Sequence, residues 1–195
     1  YYPKGKFFED WLKKVGYSAD YIVKKAGEEG TQTHEMIEAY LNGEELNFLD
    51  KNGRPQHHPD VWQMFLRFVE WWEEYKPTLL ETEVHLFSDT LKVAGTCDLV
   101  CEIDGEVWII DFKTSNNIQT TYELQTSIYT ECYKECFGKM ADRQGILWLK
   151  SSKRKASKDK MQGKGWEMVE PKRTHEENID IFKTVKKLFD LENPR

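Results

Sequence analysis

The sequence of 195 residues lacks an apolar run long enough to cross a membrane, and it lacks a signal peptide. It has no internal repeat, and its four cysteines form no Cys-x-x-Cys pair. These absences argue against a membrane partner and against a repeat architecture. The first residue is Tyr1 rather than methionine, so we expect a processed or trimmed chain.

Acidic residues outnumber basic ones overall, but the basic residues are concentrated in one place. The net charge of −6 disfavours a nucleic-acid partner at first sight. Residues 150–164, however, hold seven basic residues against one acid, which leaves −12 for the rest of the chain. We predict a basic loop that contacts phosphates, and the alternative is a solvated loop without a partner. The basic residues are Lys150, Lys153, Arg154, Lys155, Lys158, Lys160 and Lys164.

The hydrophobic content of 39%, with 13% aromatics, is typical of one compact domain with a substantial core. Periodicity predicts a helical part over 1–76 and an α/β fold in which helices flank a mixed central sheet. The predicted helices are 59–76, 119–137 and 174–191, and the predicted outer strands are 79–87, 144–150 and 165–170. In helix 59–76 the inward positions are Val61, Phe65, Phe68, Trp72 and Tyr75.

Two further stretches, 91–102 and 106–114, are rich in Val, Ile and Trp and predict a pair of strands. Between them lies Asp104-Gly105, the dipeptide that a two-residue type I′ turn prefers. If these residues form the turn, the numbers of paired residues sum to 209.

That register predicts a cluster of two carboxylates and a lysine. Asp98 would lie directly opposite Asp111, with Cβ atoms roughly 4.5–5.5 Å apart, and Lys113 would share their face. Such close like charges repel unless a cation lies between them, and a hard divalent ion such as Mg²⁺ or Mn²⁺ would resolve the conflict. The alternative is an exposed hairpin with ordinary surface charges.

Two helical segments add candidate residues on either side of the hairpin. Downstream, Gln125 and Tyr129 are spaced i, i+4 and share a helix face. Upstream, residues 30–38 predict a helix start, with Thr31 as N-cap and His34 one turn in. The structural alternatives are a polar edge, a half-buried aromatic and a capping histidine.

In this order and spacing the chain resembles the RecB-type branch of the PD-(D/E)XK nuclease superfamily, which includes phage exonucleases and CRISPR-associated nucleases. The resemblance spans roughly residues 30 to 150 and implies a restriction-endonuclease-like core. It also implies a single nuclease domain over 1–195 whose catalytic core is 77–150, followed by the basic loop and a C-terminal strand and helix in 165–195. The resemblance rests on His34, Asp98, Asp111-Phe112-Lys113 and Gln125-x-x-x-Tyr129.

The resemblance implies specific roles for the central residues. His34, Asp98, Asp111 and the main-chain carbonyl of Phe112 would hold one or two Mg²⁺ or Mn²⁺ ions. Lys113 would orient or activate the attacking water and offset negative charge in the transition state. The histidine makes Mn²⁺ more plausible than it would be in an all-carboxylate site.

The resemblance also implies supporting residues around the metal. Gln125 and Tyr129 would support the site and touch the DNA backbone, and the basic loop would clamp DNA. Glu38 and Glu83 are weaker candidates, and a structural or solvated role is the favoured interpretation of each. The loop residues that we expect to contact DNA are Lys150, Lys153, Arg154 and Lys155.

Some nucleases of this branch hold an iron–sulfur cluster through one early cysteine and a late group of three. The cysteine positions here disagree with that spacing, so we expect no such cluster. A four-thiolate site formed by a hairpin pair and a helix pair is the alternative, and buried reduced thiols are the leading interpretation. Reduced thiols favour a cytoplasmic protein. The cysteines are Cys97, Cys101, Cys132 and Cys136.

The resemblance implies a metal-dependent DNase, and we expect an exonuclease of phage or prophage type in recombination or DNA processing. Its partners would be single- or double-stranded DNA ends and a recombination protein. Two alternatives remain: a non-catalytic DNA-binding or assembly module with a nuclease fold, and a structure-selective endonuclease.

Overall fold

A computed structural model describes residues 6–149 and 165–194, without the side chains of residues 7 and 8. The predicted DNA-contacting residues Lys150, Lys153, Arg154 and Lys155 lie outside the described residues. The helices are α1 (Lys6–Val15), α2 (Ala19–Leu41), α3 (Pro59–Tyr75), α4 (Thr121–Phe137) and α5 (His175–Glu192), and a 3₁₀ turn spans Gly16–Ser18. The strands are β1 (Thr78–Ser88), β2 (Val93–Ile103), β3 (Glu106–Lys113), β4 (Arg143–Trp148) and β5 (Glu167–Val169).

The strands form one mixed sheet in the order β1-β2-β3-β4-β5. Neighbours are antiparallel except β3 and β4, which are parallel and connected through α4. A parallel pair needs a crossover connection, and the helical period of 119–137 supplied that signal. The predicted α/β fold with a mixed central sheet flanked by helices is confirmed.

The hairpin of β2 and β3 turns at the predicted dipeptide. Asp104 and Gly105 have φ angles of 52° and 84°, the pair of positive values that a type I′ turn requires. The ladder runs from Ile103 with Glu106 to Leu99 with Ile110, so paired numbers sum to 209 as predicted. It ends there, one pair short of the two aspartates.

Hydrophobic clusters cover both faces of the sheet. One cluster packs α2 and α3 against the sheet and includes Cys101, whereas the other packs α4 against it and includes Cys97 and Cys132. All four cysteines are free thiols. Because Cys101 belongs to the other cluster, the hairpin pair does not face the helix pair, and the four-thiolate arrangement is wrong.

Helix α3 buries Val61, Phe65 and Phe68, as predicted. Trp72 is partly buried and packs against the same core, as predicted, whereas the assignment of Tyr75 is wrong because it is 44% exposed. Trp71, which the prediction did not include, is fully buried. Trp71 follows Phe68 at i+3 and Trp72 follows it at i+4, and both spacings fit one apolar stripe. The packing of the core against α3 buries Trp71 fully and leaves Trp72 partly covered.

Helix α2 begins at Ala19 rather than at residues 30–38, and Thr31 lies inside it, so its assignment as N-cap is wrong. Gly30, the residue before the predicted N-cap, also lies inside the helix, where glycine is unfavourable. Its missing side chain has a packing reason, since a Cβ there would lie 3.1 Å from Oγ1 of Thr114. Among the described residues, none of these helices is both long and apolar enough to span a membrane.

Candidate metal centre and active site

The predicted acidic pair lies where the ladder between β2 and β3 ends. Asp98 and Asp111 are 8% and 1% exposed. Instead of forming a ladder pair with Asp111, Asp98 accepts a hydrogen bond through Oδ2 from the backbone N–H of Phe112, at 2.6 Å. Burial raises the pKa of Asp111 to about 6, and the charge of Asp98 adds to that rise. The structure therefore brings the two carboxylates into one low-dielectric site.

Lys113 follows Asp111 on the same face of β3. Its Nζ lies 2.5 Å from Oδ2 of Asp111, and it also lies 4.8 Å above the ring of Tyr122 on α4. The ion pair opposes the rise in the pKa of Asp111. The aromatic face favours a fixed position for the ammonium group.

Helix α2 places His34 against the acidic pair. Its Nδ1 lies 3.5 Å from Oδ1 of Asp98, and its ring packs edge-on against Phe112, with centroids 5.6 Å apart. Burial by itself lowers the pKa of His34. The hydrogen bond and charge of Asp98 and the charge of Glu83 raise this pKa by a larger amount, so the net shift is upward.

Glu83 lies closer to the centre of the site than the sequence indicated. Thr82 pairs with Leu99 and Val84 pairs with Cys97, so Glu83 lies beside Asp98 on the neighbouring strand. Its Oε1 is 4.0 Å from Nδ1 of His34. Burial, followed by the charge of Asp98, raises the pKa of Glu83 to about 7.

The backbone of Glu83 is also unusual, with φ at 47°, a left-handed conformation that is rare for a residue with a side chain. Such conformations cluster at functional sites. The sequence named Glu83 only as a weaker candidate and did not predict that it lies beside Asp98, because the register between β1 and β2 is set by a longer turn than a type I′ dipeptide.

The donor atoms of His34, Glu83 and Asp98 all lie within 4.8 Å of one another. One imidazole nitrogen and carboxylate oxygens suit Mn²⁺ and Mg²⁺. Burial, followed by the charge of Asp98, raises the pKa of both Glu83 and Asp111, so a divalent ion bound beside them would favour their charged forms. These residues therefore fit a divalent ion.

A cavity of about 350 Å³ opens beside this group, and Glu38 lines it. The charge of Glu38 adds to the rise in the pKa of Glu83. A second group of possible ligands, Glu29, His58 and Asp60, is more exposed. There, Nδ1 of His58 already accepts the N–H of Asp60 as the N-cap of α3, which gives that group a structural explanation.

Helix α4 supplies Gln125 and Tyr129 from the other face of the sheet. Nε2 of Gln125 donates a hydrogen bond of 2.9 Å to the hydroxyl of Tyr129. The Tyr129 ring packs so closely on Gly95 of β2 that a Cβ there would lie 2.9 Å from Cε1. Burial raises the pKa of Tyr129 to about 12, and the charges of Asp111 and Asp98 contribute, so this pair lies close to the acidic site.

Comparisons with known proteins show the family and the fold of this chain. A family model described as the PD-(D/E)XK nuclease superfamily matches residues 4–192. The crystal structure of a "putative exonuclease" from Eubacterium rectale is similar, with a TM-score of 0.51, 10% identity, and coverage of 86% of this chain and 67% of that chain. The crystal structure of SSO0001 has a TM-score of 0.34 and 14% identity over 70% of this chain and 63% of that chain. Among curated proteins, no sequence matches this chain.

Proposed function

The chain belongs to the PD-(D/E)XK nuclease superfamily, and from that premise we propose that it is a metal-dependent deoxyribonuclease. The observation that carries the proposal is the convergence of His34, Asp98, Asp111 and Lys113 at one end of the sheet. Buried carboxylates beside a histidine and a lysine form the donor set that phosphodiester hydrolysis needs.

The proposed ligands of the metal are His34, Glu83, Asp98, Asp111 and the main-chain carbonyl of Phe112. A divalent ion bound there supplies positive charge that lowers the pKa of a water and stabilises negative charge on the phosphate oxygens. Mg²⁺ and Mn²⁺ both suit the donors, and either one or two ions are compatible with them.

Lys113 is proposed to act on the phosphate and the attacking water. Its pairing with Asp111 and its position over the Tyr122 ring hold the ammonium group at the edge of the acidic pair. From there it can donate hydrogen bonds to a water or to a phosphate oxygen. Gln125 and Tyr129 are proposed to support β2 from behind and to contact the DNA backbone.

Within this activity, we favour an exonuclease over a structure-selective endonuclease. The support is the name of the similar Eubacterium rectale protein, at the level of the fold. The other predictions stay proposals. A role in phage-type recombination and a recombination partner rest on the resemblance, and a cytoplasmic location rests on the reduced thiols. The non-catalytic alternative has less support, because each signature position from His34 to Tyr129 carries the residue type that the family uses.

Cleavage of end-labelled linear single- and double-stranded DNA and of a closed circle tests the proposal. Each substrate is incubated with Mg²⁺, Mn²⁺ or EDTA and with the native chain, Lys113→Ala, or the surface control Lys92→Ala. We expect metal-dependent loss of the linear substrates by the native chain and the control, and no loss with Lys113→Ala. Nicking of the circle would instead establish an endonuclease, and an inert native chain that binds DNA would favour the non-catalytic module.

A further inference from the structure

A strip of three side chains extends along β1 from the proposed metal ligands. Strand residues alternate between faces, so Glu83, His85 and Phe87 share one face of β1. The intervening Val84 and Leu86 belong to the cluster under α4 on the opposite face. Successive members of the strip are therefore roughly 6–7 Å apart along the strand.

The strip lies at an edge of the sheet and is open to solvent. β1 is the first strand in the order and pairs only with β2 among the described strands. His85 and Phe87 are both exposed, and Phe87 retains 55% of its accessible surface. A single exposed aromatic needs no explanation, but the position of this one in line with Glu83, a proposed metal ligand, suggests a function.

Thr96 holds the imidazole of His85 in place. Its Oγ1 lies 3.0 Å from Nδ1 of His85, and Thr96 is two residues from Asp98 on the same face of β2. Nδ1 is engaged in this contact, and no described residue forms a hydrogen bond with Nε2. That nitrogen can donate a hydrogen bond to a phosphate oxygen beside the site.

Phe87 offers a flat apolar surface one step farther along. Its partner across β2 is Ala94, whose small side chain leaves the ring uncovered on that side. An exposed phenyl ring beside hydrogen-bond donors is the arrangement that single-stranded nucleic-acid sites use, with bases stacked on aromatic side chains.

We propose that Glu83, His85 and Phe87 mark a track for single-stranded DNA leading to the active site. His85 hydrogen-bonds a backbone phosphate next to the cleaved one, and Phe87 stacks on an unpaired base. Bases inside a duplex already stack on each other, so a platform of this kind selects unpaired nucleotides. This inference rests on the proposed function and specifies its substrate as a single-stranded end.

The same exposed strip could instead contact a partner protein, because an unpaired edge strand can accept another strand. The alignment of the strip with Glu83 and the histidine donor favour DNA. The two occupants differ in a measurable way, since only a DNA track makes the affinity for oligonucleotides depend on Phe87.

Binding measured in EDTA separates this inference from catalysis. The probe is a fluorescein-labelled thymidine oligonucleotide of about twelve units, and the readout is its anisotropy with the native chain, Phe87→Ala and His85→Ala. Phe137→Ala is the matched control, because Phe137 is 45% exposed at the end of α4. We expect Phe87→Ala to weaken binding about five- to hundredfold, which is the range for loss of one stacked base, and the control to bind like the native chain.

Two further probes make the result specific. A blunt duplex of the same length should bind Phe87→Ala and the native chain with similar affinity, because its bases are not available for stacking. An oligonucleotide whose backbone lacks bases should remove the difference between the native chain and Phe87→Ala, whereas His85→Ala should still bind it more weakly.

Equal affinity of the native chain and Phe87→Ala for the thymidine probe would overturn the track. The track would also be overturned if Phe87→Ala lost as much affinity for the duplex as for the thymidine probe. Either result leaves the cleavage assay untouched, so the two proposals fail separately. An inert chain that still shows the Phe87-dependent binding would overturn the proposed nuclease activity and retain the track as a binding site.

Discussion

The carboxylate of Asp98 accepts the backbone N–H of Phe112 at 2.6 Å, at the point where the regular pairing of β2 with β3 stops. This side-chain contact occupies one oxygen of the carboxylate and satisfies a buried backbone donor. The other oxygen, Oδ1, is the one that faces His34. Asp98 thus links the end of the hairpin to helix α2 and has both a structural and a proposed metal-binding role.

Metal binding should stabilise the native chain through this residue. We expect Mn²⁺ to raise the melting temperature, because an ion that binds only the folded state shifts the folding equilibrium. Asp98→Asn keeps an oxygen that can accept the Phe112 N–H, but it loses the charge that binds the ion. The increase in melting temperature with Mn²⁺ should therefore be lost in Asp98→Asn. Differential scanning fluorimetry with and without EDTA measures it.

Asp60→Asn is the control for that experiment, since Asp60 belongs to the exposed group with Glu29 and His58. The control should keep the full increase. A loss of the increase in Asp60→Asn, with Asp98→Asn unaffected, would place the ion at the exposed group instead.

Glu83 should make metal-free stability depend on pH. Its pKa in the fold is raised from 4.5 to about 7, so the folded state binds this proton more tightly than the unfolded state does. The resulting stabilisation is present at low pH and is lost as the pH rises from 4.5 towards 7. In EDTA, the melting temperature of the native chain relative to Glu83→Gln should therefore fall across this window.

Glu81→Gln, an exposed change on the same strand, provides the comparison for the pH series. Its melting curve should track that of the native chain at every pH. Parallel curves for the native chain and Glu83→Gln would show that Glu83 is not held in a site that favours its protonated form.

The two glycines inside α2 should respond differently to alanine. Nothing lies within 4 Å of a Cβ at Gly27, whereas a Cβ at Gly30 would meet Oγ1 of Thr114 at 3.1 Å. Gly27→Ala should raise the free energy of unfolding by about 1 kcal/mol, because alanine has the higher helix propensity. Gly30→Ala should raise the free energy of unfolding by less, and it should reduce cleavage because it shifts His34. Urea unfolding and the cleavage assay measure the two effects.

A double-variant cycle identifies the cause of that difference. In the Thr114→Ala background the obstructing oxygen is gone, so Gly30→Ala should raise the free energy of unfolding about as much as Gly27→Ala does. An equal gain for both glycines in the native background would contradict the close approach of α2 to the end of β3.

Gly95 should be required for the contact between β2 and α4. A Cβ there would lie 2.9 Å from Cε1 of Tyr129, so Gly95→Ala must displace the ring and weaken its hydrogen bond with Gln125. Overpacking of this kind should lower the free energy of unfolding of Gly95→Ala by about 1–3 kcal/mol, which urea unfolding measures. In a Tyr129→Leu background the cost should be smaller, and an unchanged cost would mean that the strain arises elsewhere.

The basic segment should contribute to DNA affinity in a salt-dependent way. Replacing Lys150, Lys153, Arg154 and Lys155 with glutamine should flatten the plot of log affinity against log salt by roughly 0.7–0.9 for each phosphate that the segment no longer neutralises. A matched set of four lysines on α1 and α2 provides the control: Lys13, Lys14, Lys24 and Lys25. Equal slopes for the native chain and the segment variant would exclude a DNA clamp.

Local sequence determined the hairpin and most helices and strands of this protein. Asp104-Gly105 has the dihedral preference of a type I′ turn, and that turn sets the register of β2 and β3 without help from distant residues. The helical period placed α3, α4 and α5 in the same way. The order of His34, Asp98, Asp111 and Lys113 along the chain, matched to a known pattern, was enough to predict that they would meet.

Only the tertiary structure decided how those residues meet. Thr114 lies close to Gly30 inside α2, and the position of Glu83 beside Asp98 depends on pairing between β1 and β2. The link from Asp98 to Phe112 replaces a predicted ladder pair. Each of these features arises from interactions between residues far apart in the chain, whereas propensity and periodicity report only on near neighbours.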